Sequence, residues 1–347
     1  MSITVTIADI ARKLKTTSAT VSRALNDHPA ISAKTKKTVL RTAEKMNYRR
    51  NNVASSLRLG QTGIIGVIIP SAEINFFGSV VHGIESIANQ NGYNVLIYQS
   101  NESAEHEKKG IETFLNARVD GIIVSMAKET RDYDHFEYVK KIKVPIVFFD
   151  RAQDALNIDS VVIDDHKGAF MATEHLIKEG YKRIAHISGP QHIGIFKARL
   201  EGYKAALKAY KIKFDPKLVM EGDVSIEAGR KAIKKLLALP NRPDALFAVE
   251  DFTALGAIKE LKENNIIIPQ DFGVFGFANE NFGEHITPSL SSIDQQTVLM
   301  GKESFKLMQE LIEQKDTKVK EAKKIILPPT LIFRESSNRK KTADENL

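Results

Sequence analysis

Apolar positions recur every three or four residues at the start of the chain and give way, after residue 60, to short continuous apolar runs. Ile7, Ile10, Ala11 and Leu14 fall at i, i+3, i+4 and i+7, which predicts a first helix capped by Thr6. Asp9, three residues after Thr6, can reach back to a free backbone N–H. After Lys15 and Thr16, Thr17 can cap a second helix that turns Val21, Ala24 and Leu25 inward. Ser18, Ala19, Ser22, Arg23 and Asn26 then face out. Ser32 can cap a third helix over residues 33 to about 46, with Val39, Leu40, Ala43 and Met46 as its apolar stripe. The pattern is helix-turn-helix, with small and polar groups and one arginine on the outer face of the second helix. Small side chains permit close approach to a major groove, and arginine can donate two bonds to guanine.

Residues 48–60 are short, basic and weakly amphipathic, a linker that orders only when something holds it. From residue 63 the grammar is α/β. Ile64 to Ile69 is an unbroken apolar run ended by Pro70, as in a buried parallel strand. Strands near 94–98, 121–124 and 145–149 alternate with helices near 77–91, 104–116 and 133–141. After a strand at 160–163 the alternation restarts, with helices near 165–179, 196–210, 226–239 and 252–264. Strands near 183–187, 218–220, 245–249 and 273–277 separate them. Doubly wound layers of this kind bind ligands at the carboxyl ends of their strands. Two such halves imply two lobes around a cleft, with a last helix near 297–314 and strands near Ile325 and Leu331 crossing back to tie them. The expected division is a head at 1–47, a linker at 48–60, a core at 61–337 and a polar, disordered tail at 338–347. Lobe 1 would hold about 61–163 and 296–325, and lobe 2 about 164–295 and 326–337.

Length and charge sharpen this division. A chain of 347 residues is too long for one typical core. Its net charge of +7 is concentrated: residues 1–60 hold twelve Lys/Arg against three Asp/Glu. That surplus coincides with the helix-turn-helix pattern and is an electrostatic footprint for a polyanion, with Lys34, Lys36, Lys37 and Arg41 placed for phosphates. The absence of cysteine removes disulfides, thiolate nucleophiles and cysteine-ligated metals and fits a reducing cytoplasm. No secretion signal and no apolar run near the roughly 20 residues of a membrane span is visible.

In ordered motifs over nearly its whole length, the chain resembles the LacI/GalR family of bacterial transcription regulators. The match lies in Val5 to Ala11, Ala19-Thr20-Val21-Ser22-Arg23-Ala24-Leu25-Asn26, Ile31 to Thr35, Asn47-Tyr48 and Asn51 to Leu57. It continues in Ile64 to Pro70, Phe149-Asp150-Arg151, Arg199-Leu200-Glu201-Gly202-Tyr203 and Phe275-Gly276-Phe277. The resemblance implies an all-α helix-turn-helix head on a two-lobed, periplasmic-binding-protein-like α/β core of doubly wound parallel sheets. It also implies a homodimer on pseudo-palindromic, double-stranded operator DNA. Ser18, Ala19 and Arg23 would read bases, with Ser22, Asn26, Ser32 and Thr35 at phosphates or groove walls. Thr6, Thr17, Tyr48, Asn51 and Ala54 complete the DNA-binding set, and Leu57 would wedge into the minor groove. A sugar or related metabolite would bind among Phe76, Phe77, Asp150, Arg151, Arg199, Asp251, Phe252, Asn279 and Gln295, aromatics stacking on a ring and charged groups binding hydroxyls.

Some positions depart from the family pattern. Lys15 stands where glycine is usual in the turn, Arg50 replaces the proline before the hinge asparagine, and Ile74-Asn75 replaces Asn-Pro. Glu250-Asp251 stands for Asn-Asp, and Ala278 replaces an aspartate, which removes a hydroxyl acceptor. Enzyme motifs are missing: there is no Gly-x-Ser-x-Gly, Walker loop, complete Gly-x-Gly-x-x-Gly after a strand or His-Glu-x-x-His. No cofactor or metal is expected. His82, His166, His175 and His186 read as surface or satisfied interior residues. The competing reading is a sugar-binding protein of the periplasmic type, which would carry a secretion signal where this chain carries a basic three-helix module.

Overall fold

The computed structural model describes residues 5–48, 61–314 and 321–339. The chain forms two compact units, Met1–Thr62 and Gly63–Leu347. In the first, α1 (Ile7–Lys13), α2 (Ser18–Leu25) and α3 (Ala33–Lys45) enclose a small core of Ile10, Ala11, Val21, Ala24, Val39 and Ala43. Local chemistry starts each helix. The Thr6 backbone N–H donates to Asp9 Oδ2 at 2.9 Å while Asp9 N–H donates to Thr6 Oγ1, a reciprocal capping box. Thr17 Oγ1 accepts from Thr20 N–H at 3.1 Å and Ser32 Oγ from Thr35 N–H at 3.3 Å. Lys15 adopts φ +48°, the left-handed backbone for which glycine is favoured. Leu40 departs from expectation: it is 54% exposed, because α3 turns only Val39 and Ala43 into this small core.

In the second unit, lobe 1 is built on a six-stranded, all-parallel sheet: β1 (Ile64–Ile69), β2 (Asn94–Gln99), β3 (Gly121–Val124), β4 (Ile146–Phe149), β5 (Asp159–Ile163) and β11 (Lys324–Leu327). Their order is β11-β5-β4-β3-β1-β2. Side-chain alternation covers both faces. Ile65, Val67, Val147 and Phe149 pack with α4 (Asn75–Ala88) and α11 (Thr297–Glu313). Ile68, Ile122, Val124 and Phe148 pack with α5 (Ala104–Ala117) and α6 (Asp134–Lys141). Helices α4 and α11 meet backbone to backbone: a Cβ on Gly301 would sit 2.1 Å from the Val80 carbonyl oxygen, and one on Gly83 2.3 Å from that of Val298.

Lobe 2 has a parallel sheet in the order β7-β6-β8-β9, from β6 (Ile184–Ser188), β7 (Val219–Glu221), β8 (Ala245–Ala248) and β9 (Gly273–Phe275). Helices α7 (Asp165–Lys178) and α8 (Gly194–Ala209) cover one face. Helices α9 (Ile226–Leu237) and α10 (Asp251–Glu263) cover the other. Strand β10 (Ser292–Asp294) pairs antiparallel with β12 (Thr330–Ile332) in lobe 2. Between them the chain visits lobe 1 through α11 and β11, so it passes between the lobes three times. Strand β11 pairs with β5 through Leu327, two residues past the expected lobe boundary at 325.

Candidate functional site

On the head, α2 presents Ser18, Ala19, Arg23 and Asn26 to solvent, with Ser22 half-buried. Among the described residues nothing hydrogen-bonds or ion-pairs with the Arg23 side chain, which leaves its guanidinium available to a ligand. The hydroxyls of Thr6, Thr17, Ser32 and Thr35 serve the helix caps: Thr17 meets Thr20 Oγ1, and Ser32 meets Thr35 Oγ1, at 2.9 Å each. Their first task is to aim the helix N-termini. Tyr48 is half-buried against the head's core. Lys36, expected to be placed for phosphates, holds its ammonium 2.6 Å from the Asp27 carboxylate and donates to the Asp27 carbonyl. Lys34, Lys37 and Arg41 stay exposed. Asn51, Ala54 and Leu57 lie outside the described residues.

In the second unit a cavity of about 430 Å³ opens between the lobes at the carboxyl ends of their strands. Lobe 1 contributes Phe76 and Phe77 from the start of α4, Glu102, Lys128, and Asp150 and Arg151 after β4. Lobe 2 contributes Phe196 and Arg199 from α8, Glu250 and Phe252 at the start of α10, and Ala278 and Glu280 after β9; Gln295 lies at a crossing. Seven of the nine expected residues thus converge. Phe76 and Phe77 do two jobs: they form a T-shaped pair at 5.0 Å, sit in the core of lobe 1 and line the cavity.

The two arginines are held by protein. Arg199 Nε and Nη2 lie 2.7 Å from Asp165 Oδ1, Nη1 donates to the Val249 carbonyl, and Nη2 reaches Gln295 Oε1 at 3.3 Å. Its guanidinium carbon stands 3.6 Å from the Phe277 ring centre. Arg151 grips Glu102 with both Nη atoms, at 2.7 and 3.1 Å, and donates to the Met126 carbonyl. Its buried Nε has no hydrogen-bond partner and stands 3.8 Å from Asp150. Burial opposes ionisation of Glu102, but the charge and hydrogen bonds of Arg151, together with Lys128, outweigh it and hold its pKa below the usual value. Asp150 is buried with φ +58° and takes only a 3.4 Å bond from Ser125 Oγ to its side chain; burial raises its pKa despite the nearby arginines.

Asp251 and Asn279 do not line the cavity, which corrects the expected set. Asp251 is fully buried inside lobe 2, where Oδ2 accepts from Glu280 N–H at 2.7 Å and Oδ1 from Ser292 Oγ at 2.7 Å. Burial pushes its pKa up to about 7. Asn279 is spent on Asp294 and Arg334, at 2.9 Å each. The neighbours Glu250 and Ala278 face the cavity instead, the latter at φ +115°. Glu102, Phe196 and Glu280 were missed altogether. Phe196 was findable, lying one helical turn before Arg199 on the same face of α8.

Direct contacts hold the lobes together around the cavity. Glu280 Oε1, from lobe 2, accepts from the Phe76 N–H at 3.2 Å and so caps α4 of lobe 1, whose own N-cap residue is apolar Ile74. Asn281 donates to Asn75 Oδ1 at 3.0 Å, and His192 Nε2 contacts the Lys128 carbonyl at 2.8 Å. Lys128 Nζ lies between Glu102 of lobe 1 and Asp223 of lobe 2, 3.7 and 3.8 Å away.

An exposed helix-turn-helix face and a two-lobed cavity occur on one chain, and comparison with known proteins decides what that combination is. Residues 6–51 match the family model of bacterial regulatory proteins, lacI family. Residues 62–334 match that of periplasmic binding proteins and sugar binding domain of LacI family. The chain belongs to the LacI family. Within it, catabolite control protein A of Priestia megaterium is 33% identical over 96% of this chain and 99% of that protein. The HTH-type transcriptional repressor PurR of Haemophilus influenzae (strain PittEE) is 31% identical over 95% and 98%. Among solved structures, the lac repressor dimer bound to operator and an anti-inducer superposes with a TM-score of 0.85 at 27% identity, over 96% of this chain and 99% of that one. The transcriptional regulator CelR with cellobiose gives 0.72 at 27% identity, again over 96% and 99%. This LacI-family chain is a DNA-binding transcriptional regulator with an effector-binding domain, not an enzyme, and the periplasmic-type reading without a DNA-binding role falls. Among the described residues no helix is long and apolar enough to cross a membrane.

Proposed function

We propose that the protein is a cytoplasmic, homodimeric repressor of a carbohydrate or metabolite utilisation operon, controlled by a small polar effector between its lobes. The observation that carries this reading is an unpartnered Arg23 on an exposed, well-capped α2, on a chain that also holds a 430 Å³ interlobe cavity. Arg23 reads a guanine edge; Ser18 and Ala19 allow the close approach but offer few hydrogen bonds, so DNA shape carries part of the specificity. Ser22 and Asn26 stand at the groove wall. The α3 start, with Ser32, Thr35, Lys34 and Lys37, meets phosphates. Tyr48, packed on the head's core, leads into a hinge that carries Asn51, Ala54 and Leu57 and folds on DNA, Leu57 entering the minor groove.

At the cavity, Phe76, Phe196 and Phe252 supply apolar walls and Asp150 an acceptor for ligand hydroxyls or amines. The effector changes the relative orientation of the lobes, and lobe 1 passes that change to the hinges and the spacing of the two reading heads. A gel-shift on a fragment selected from random DNA, run at two salt concentrations, tests the DNA half. Affinity should fall steeply with salt, and Arg23→Ala should lose about 1–3 kcal/mol of preference for the selected over a scrambled fragment. Equal binding of both fragments by the unmodified protein would sink the regulator reading.

A further inference from the structure

Helix α4 starts without a cap of its own. Its N-cap position is Ile74, which has extended backbone (φ −89°, ψ 118°) and makes no side-chain bond to the first turn. A polar residue there would accept from the N–H of the second or third helical residue, Phe76 or Phe77. The Phe76 N–H is taken instead by Glu280 Oε1 of lobe 2, at 3.2 Å across the cleft. The helix end offers the carboxylate partial positive charge as well as a donor.

Lobe 2 holds Glu280 in place for this contact. Glu280 N–H donates to Asp251 Oδ2 at 2.7 Å, and Asp251 Oδ1 accepts from Ser292 Oγ at 2.7 Å. A fully buried aspartate thus fixes the backbone from which the Glu280 side chain reaches out. Glu280 itself is only 3% exposed. The other contacts between the lobes named above lie in solvent: Asn281 on Asn75, His192 on the Lys128 carbonyl, and Lys128 3.8 Å from Asp223. Water replaces partners of that kind at little cost, whereas Glu280 and the start of α4 meet where water is largely excluded.

We propose that Glu280 is the positioning residue of the lobe switch: lobe 2 provides it to lobe 1 as the missing cap of α4, and this contact sets the balance between joined and parted lobes. Parting the lobes leaves the start of α4 uncapped and Glu280 without its donor. Glu280 and Phe76 both line the cavity, so, on the reading that an effector acts through lobe orientation, its occupant meets the contact directly.

The chain has no cysteine, so two introduced thiols can be spin-labelled without background. Glu105→Cys at the start of α5 in lobe 1 and Glu227→Cys at the start of α9 in lobe 2, both exposed positions, report the distance between the lobes by pulsed electron paramagnetic resonance. The full-length labelled protein is measured with no small molecule added and in an excess of unlabelled protein, so that each distance comes from within one chain. Glu280→Ala should raise the ratio of parted to joined lobes by about 2- to 30-fold, the contribution of one helix cap. Glu280→Gln, which keeps an acceptor at the same reach, should stay close to the unmodified distribution. Ile74→Ser separates positioning from packing: a serine at the N-cap accepts from the α4 amides locally, so the lobes should part as in Glu280→Ala although α4 has gained a cap. An unchanged distance distribution in either Glu280→Ala or Ile74→Ser overturns the proposal. Parting in Glu280→Gln as large as in Glu280→Ala overturns it too, because the acceptor is then not what joins the lobes. Operator affinity of the same variants is read separately: parted lobes with unchanged affinity support the role of Glu280 and sink the reading that lobe orientation reaches the DNA.

Discussion

At the scale of single residues, His186 shows what the interior of lobe 2 demands. Its ring is buried between Tyr203 and Phe247, with Nδ1 2.9 Å from the Phe247 carbonyl and Nε2 left without a partner. Protonation would bury a cation with an unsatisfied donor, so burial lowers its pKa to about 4. The neutral ring's contribution is therefore complete above the ordinary value near 6.5 and is lost as pH falls through about 4. Asp251, pushed up to about 7, works in the opposite direction, its contribution fading as pH rises through 7. Comparison with His186→Asn, which keeps a donor toward Phe247 and cannot titrate, isolates the histidine. Denaturant unfolding should show the unmodified protein losing on the order of 3 kcal/mol relative to the variant between pH 6.5 and 4. Parallel pH profiles would contradict this. Residue identity at the cavity was legible only where the partner chemistry is local. The Glu250-Asp251 pair shows the limit: as N-cap, Glu250 turns back over its own helix amides at the cavity wall, while Asp251 in the first turn points into lobe 2. One position of helix register decides which acid faces the ligand, and periodicity does not carry that.

At the scale of elements, most of the architecture could be read in advance because caps and apolar runs are short-range signals. Thr6-x-x-Asp9, Thr17 and Ser32 start helices where expected, and the unbroken run of β1 lies buried between two helical layers. Two features were hidden. Leu40 points to solvent because a three-helix head buries only a narrow stripe of α3. The cap of α4 comes from Glu280, 204 residues away, so nothing local to Ile74 announces it. Helix pairing also escaped the pattern, since glycine reads as a weak helix former when its role is contact. Gly301 lets α11 rest on the backbone of α4, and no rotamer change relieves a Cβ 2.1 Å from a carbonyl oxygen. Gly301→Ala should destabilise the core by about 1–3 kcal/mol or more, seen as a lower denaturant midpoint. An unchanged midpoint would show that the two helices can separate freely.

For the molecule as a whole, the basic surplus of the first sixty residues and the near-balanced remainder reflect two tasks, one facing a polyanion and one facing a small ligand. The interlobe contacts give the second task a mechanical output. Glu280 on the start of α4, Asn281 on Asn75 and Lys128 between two carboxylates span the cleft whose walls a ligand would touch. A ligand that strengthens or breaks these contacts changes the balance between lobe arrangements by its differential affinity for them. Operator affinity must then respond to the cavity's occupant. The direct measurement is fluorescence anisotropy of a selected operator fragment, with and without a small-molecule fraction of bacterial cells that raises the protein's melting temperature, for the unmodified protein and for Val224→Trp, a substitution that fills the cavity from the loop before α9. The fraction should change affinity by about 5- to 150-fold in the unmodified protein and leave the filled variant unaffected. Identical operator affinity in the unmodified protein with and without that fraction would contradict the coupling of cavity to DNA.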